Sequence, residues 1–102
     1  MSVRHELRNY LEKVLKSGIE KLSSEPERVF LVFKSGDTPV DFHELAQSDF
    51  KELVDTSTRL GLEAKVKNQE FLCFVFLSNG KLFTEPSGLE EKIAPLLEQA
   101  FD

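Results

Sequence analysis

Phe71-Leu72-Cys73-Phe74-Val75-Phe76-Leu77-Ser78-Asn79-Gly80-Lys81-Leu82-Phe83 is the stretch on which the fold turns. Its first seven residues are apolar without a break and rich in aromatic and β-branched side chains. Such a run is the length of a strand buried on both faces and too short for a buried helix. Asn79-Gly80 supplies two residues that accept positive φ, the strongest short hairpin signal. Leu82 and Phe83 then return as a short partner strand, so at least part of the sheet is antiparallel.

Upstream, Leu62, Ala64 and Val66 alternate with Glu63, Lys65 and Lys67, which predicts a half-buried strand near an edge. Asn68-Gln69 joins it by a turn to the run at 71. Before that, Pro39 opens a helical region in which Phe42, Leu45, Ala46, Phe50, Leu53, Val54 and Leu60 keep helical spacing, with Gly61 as the residue past its end. Asp49 followed by Glu52 can restart a helix inside this region, so one bent helix or two short ones fit. Val29-Phe30-Leu31-Val32-Phe33 reads as another central strand, closed by Ser35-Gly36-Asp37. Leu7, Tyr10, Leu11, Val14, Leu15, Ile19 and Leu22 form one stripe of a first helix, with Ser2 as its cap and Pro26 beyond its end. Downstream, Ser87 and Glu90 make a capping box for a last helix, in which Pro95 predicts a kink or a break.

The expected order is α-β-α-β-β-(β)-α. The class is α+β: a three- or four-stranded, mainly antiparallel or mixed sheet with about three helices. Residues 1–102 read as a single domain without repeats. By simple alternation Phe71, Cys73, Val75 and Leu77 face one way, and Leu72, Phe74 and Phe76 the other. Both sheet faces therefore need cover. The expected arrangement is a monomer with the first and last helices on opposite faces. A residual apolar patch near the last helix, at Leu96 and Phe101, is then the expected partner site.

Composition narrows the chemistry. The 102 residues carry a formal charge of −5 and a single cysteine, Cys73. One cysteine excludes an internal disulfide and fits a reducing compartment. The start of the chain shows no apolar signal segment, and no apolar run approaches membrane-spanning length. The expected location is the cytoplasm or nucleus, with no membrane partner. Charge is uneven: residues 37–58 hold one Lys/Arg against six Asp/Glu, and residues 85–102 one against five. Strong affinity for polyanions is disfavoured.

His5 and His43 stand alone without ligands at metal spacing. Cys73 sits in an apolar run, where a thiol behaves as a small hydrophobe. The glycines are scattered and form no phosphate cradle. No cofactor, metal or catalytic set is expected, and the chain reads as non-enzymatic. The one basic grouping is Arg59, Lys65, Lys67 and Lys81, expected at the end of the second helical region and along one hairpin. Basic residues beside aromatics suit single-stranded nucleic acid, while lysines on an edge strand also simply keep it soluble.

The order helix, strand, helix ending in Gly-Leu, then two strands resembles the single-stranded nucleic-acid-binding domain family named for its Arg-x-x-x-His motif. The matching stretches are Phe42-His43-Glu44-Leu45 through Leu60-Gly61-Leu62, then Phe71 to Ser78. Aligned on Gly61, Phe50 and Val54 stand where that family has its arginine and histidine, so the defining pair is absent here. The resemblance implies a fold more than a function. Two readings follow: a module binding another protein through an apolar sheet or helix surface, and a single-stranded nucleic-acid module using the basic residues.

Overall fold

The computed structural model describes residues 2–101. Seven elements follow one another: α1 (Val3–Glu20), β1 (Arg28–Ser35), β2 (Thr38–Leu45), α2 (Phe50–Val66), β3 (Glu70–Ser78), β4 (Lys81–Glu85) and α3 (Glu90–Phe101). The fold is α+β, with three helices on a four-stranded sheet ordered β2-β1-β3-β4 and antiparallel throughout. The two hairpins lie side by side, with β1 and β3 in the centre.

The turns behave as their residues dictate. Asn79 (φ 53°) and Gly80 (φ 74°) reverse the chain between β3 and β4, as the Asn-Gly signal requires. Gly36 (φ 62°) opens the turn between β1 and β2. Ser2 caps α1, its hydroxyl accepting the His5 N–H at 3.2 Å.

Two segments depart from the sequence expectation, so the order is α-β-β-α-β-β-α. Residues 38–45, expected at the start of a helix, are strand β2. Their true period is two: Asp41 and His43 share one face, Phe42 and Glu44 the other, and Pro39 sits on an edge, where its missing N–H costs nothing. The helix starts where the Asp49–Glu52 pair allowed it, with Asp49 Oδ1 accepting the Glu52 N–H at 2.9 Å. It then runs through Gly61 to Val66. Residues 62–67, expected as a strand, are instead the last helical turns, to Val66, and the cap residue Lys67: Ala64 is buried while Val66 is 86% exposed. Asn68 (φ 60°) ends it in the left-handed conformation, and the Gln69 N–H returns to the Ala64 carbonyl at 2.9 Å, a common helix stop.

A bulge corrects the expected facing of β3. Phe33 pairs with Phe71 but Val32 with Cys73, leaving Leu72 as the extra residue. Phe71 therefore joins Phe74 and Phe76, and Leu72 joins Cys73 and Val75.

The sheet separates two cores. Under α1 and α2 lie Leu11, Leu15, Leu31, Phe33, Val54, Phe74 and Phe76. Under α3 lie Phe30, Val32, Cys73, Val75, Ile93 and Leu97. The first and last helices thus cover opposite faces. Helix α3 continues through Pro95 to Phe101. Its start differs from the expected capping box: Glu90, not Ser87, is the anchor, accepting the Thr84 N–H and hydroxyl at 3.0 Å and the Gly88 N–H at 3.1 Å. Among the described residues no helix is long and apolar enough to cross a membrane.

Candidate functional site: the open edge of β2

Strand β2 is an outer strand, paired with β1 alone. An outer strand presents a row of unpaired backbone groups, and proteins commonly blunt it with charges, proline or bulges. Here Pro39 and an irregularity opposite Phe33/Lys34 blunt the first part. The rest, Asp41 to Leu45, keeps regular pairing to β1 and leaves its outer side open.

Two clefts follow this edge. The first, of about 540 Å³, lies beyond the end of β2 and is floored by Ile19, Val29, Leu45 and Leu53. Glu25, Asp49 and Phe50 form its rim, with the backbone of Glu27. The second, of about 590 Å³, runs along β2 itself, between Leu53, Thr56 and Leu60 of α2 and Phe101 of α3. The clefts share Leu45, Ala46, Ser48 and Leu53, so they adjoin at the end of β2 and together flank its outer edge as one grooved surface. Phe50 and Phe101 are 37% and 40% exposed at its two ends, each large enough to anchor a partner side chain.

The groove is acidic. Its two arginines are already engaged: Arg28 holds Glu44 through bonds of 2.7 and 2.8 Å, and Arg59 pairs with Glu63 at 3.1 Å. The guanidinium of Arg28 holds the Glu44 carboxyl below its usual range, so Glu44 is a neutralised wall. Glu25, Asp49 and Glu52 remain as negative charge without a cationic partner among the ion pairs of the described residues. Asp49 spends one oxygen on the Glu52 N–H, which fixes its charge at the groove. Glu27 gives the groove its backbone, the carbonyl accepting from Gln47, while its carboxylate is held by the Asn79 N–H at the β3–β4 turn, across β1 from β2.

Of the two residues expected to bind a partner, Phe101 lines this groove and packs its ring on Phe30 at 5.1 Å. Leu96 is half-buried on α3 and lines neither cleft. The four basic residues do not form a hairpin strip. Arg59, Lys65 and Lys67 belong to α2 and its C-terminal cap, whereas Lys81 pairs with Ser78 at the far end of β3. The nine residues of β3 separate those ends by about 25 Å. The segment carrying Lys65 and Lys67 is the helix end rather than a strand, so the spacing that would have aligned them is lost.

His5 is exposed in the first turn of α1. His43 is half-buried on β2, its ring edge-on to Phe33 at 5.7 Å. Among the described residues no group of three His, Cys, Asp or Glu side chains converges on a metal position. Burial pushes the Cys73 thiol up to about 12, with the Glu90 carboxylate adding to the shift, which leaves no thiolate for nucleophilic work.

No family model, curated protein or solved structure matches the chain. The element order behind the resemblance to the Arg-x-x-x-His domains also differs from the order observed, because Phe42–Leu45 is a strand and the helix does not stop at Gly61.

Proposed function

We propose that this chain is a non-enzymatic docking module that binds a segment of another protein in the groove along β2. The observation that carries the reading is the joined pair of clefts: an apolar floor, aromatic ends and a rim of unneutralised carboxylates. That combination fits a partner segment with large apolar side chains flanked by lysine or arginine. It disfavours nucleic acid, whose phosphates would meet Glu25, Asp49 and Glu52 while the basic residues lie scattered or paired. A cytoplasmic or nuclear setting is part of the same reading and accords with the lone unpaired cysteine.

The test compares the wild type with a Glu25→Lys/Glu52→Lys variant, both changes being at exposed positions. Proteins captured from nuclease-treated extract are purified and titrated against each form. Direct binding that weakens at least about tenfold in the variant, with an unchanged melt, is the expected result. Equal binding by both forms, or nuclease-sensitive nucleic acid as the bound species, overturns the reading.

A further inference from the structure

We infer that the docked segment adds to the sheet as a fifth strand, antiparallel or parallel to Asp41–Leu45, with a basic side chain at its end beside Glu25 and Asp49. This rests on the docking reading above and specifies its geometry. The decisive feature is which residues line the second cleft. Phe42, His43, Glu44 and Leu45 all contribute, four consecutive residues of one strand. Side chains alternate across a sheet, so a pocket on one face receives every second residue. A cleft that touches all four lies beyond the edge and spans both faces. Its other walls agree: Leu53, Thr56 and Leu60 of α2 come from one face, and Phe101 of α3 from the other. Helices thus flank a position that no strand among the described residues fills. An extended segment placed there meets the unpaired backbone of β2 along its length. Its side chains point alternately toward α2 and toward Phe42 and Phe101, the pattern of strand addition.

The opposite edge is less suited. Strand β4 has five residues. Its Glu85 is tied across to Ser17 at 2.9 Å and to Lys21 at 2.8 Å. A second copy of this chain is a poor occupant of the β2 slot, because pairing two β2 edges brings two acidic grooves together. The partner is therefore a basic, extended segment of a different chain, about five residues long in its paired part, matching Asp41–Leu45.

The test uses the full chain and a defined probe, a peptide selected on it from a random-peptide display library and then synthesised. Each backbone amide of the peptide is N-methylated in turn and binding is titrated. The expected result is a two-residue period: methylation at alternate positions weakens binding about tenfold or more, and at the intervening positions little. Amide exchange within Asp41–Leu45 slows on binding. A peptide that loses affinity for the Glu25→Lys/Glu52→Lys variant, yet shows no two-residue period or needs anchors at helical spacing, overturns the fifth strand and leaves the docking reading standing. Selected peptides indifferent to that variant, or a library that yields no binder, overturn the docking reading and the strand with it. A dimer by sedimentation that dissociates on adding peptide assigns the slot to a second copy and overturns the choice of partner.

Discussion

Glu90 ties the last strand to the last helix through a single carboxylate. One side chain closes the β4–α3 connection by accepting from Thr84 twice and from the Gly88 N–H. Those bonds, the Thr84 N–H first, hold its carboxyl below the usual glutamate range. A depressed folded-state pKa contributes stability that is present above the unfolded value, about 4.3, and is lost as pH falls through the folded value. Glu90→Gln keeps one acceptor oxygen and loses the charge. It should cost about 1–2 kcal/mol at pH 7. The gap between variant and wild type should narrow under acid, as the wild-type side chain takes up its proton. Urea melts at pH 7 and pH 3 check this; an equal gap at both would mean the charge contributes nothing. The sequence pointed to Glu90 through the Ser87–Glu90 spacing, but assigned the bond to the wrong partner, because Thr84 reaches it only once β4 is in place.

Glycine carried the most misleading signal among the secondary-structure elements. Gly61 reads as a helix stop, yet it lies inside α2, where α1 crosses close: a Cβ there would meet Leu7 Cδ2 at 2.9 Å. Gly18 is a poor helix former inside α1, yet a Cβ there would meet the Phe76 ring at 2.5 Å and Glu85 Cβ at 3.0 Å. Both are contact points that only the tertiary structure reveals, which is why spacing alone misjudged them. Their consequences differ. Each Gly→Ala change gains up to about 1 kcal/mol of helix propensity. At 61 the opposing atom is the tip of a leucine that can rotate, so Gly61→Ala should fall within about 1 kcal/mol of wild type. At 18 the neighbour is a buried ring packed on Phe74, at 6.3 Å between centroids, with no room to yield. Gly18→Ala should destabilise by about 1–2 kcal/mol net, since overpacking costs up to about 3. Denaturant midpoints distinguish the two, and equal effects would mean α1 shifts freely on the sheet. The central strands, by contrast, were legible because continuous apolar runs leave no other place to go. The edge strand β2 was not: charged and proline residues put there to blunt an edge resemble a helix entry, and the groove beside it was hidden with it.

Viewed as a whole, the molecule is asymmetric about its sheet, and this sets how it opens. One face is covered by two long helices, the other by the twelve residues of α3 alone. That cover rests on Ile93 and Leu97 over Phe30, Val32, Cys73 and Val75, the Phe101–Phe30 contact, and Lys92 Nζ reaching the Asp37 carbonyl at 3.0 Å. Pro95 removes one helical hydrogen bond from within it. Such a segment is the expected low-stability unit, able to lift while the rest stays folded. Cys73 reports on it directly, being fully buried beneath α3 and, with its thiol held protonated, unreactive until the cover lifts. Ile93→Ala should cost about 2–5 kcal/mol of α3 docking and speed labelling of Cys73 by a thiol reagent under native conditions. Leu15→Ala, in the core under α1, should destabilise global unfolding by a similar amount. If α3 lifts on its own, labelling accelerates far more in Ile93→Ala than in Leu15→Ala. If both variants accelerate it equally, α3 leaves only when the whole domain unfolds. Because Phe101 forms the far wall of the β2 groove, independent lifting would also loosen one side of the proposed strand slot, and peptide binding should then protect Cys73 from the reagent.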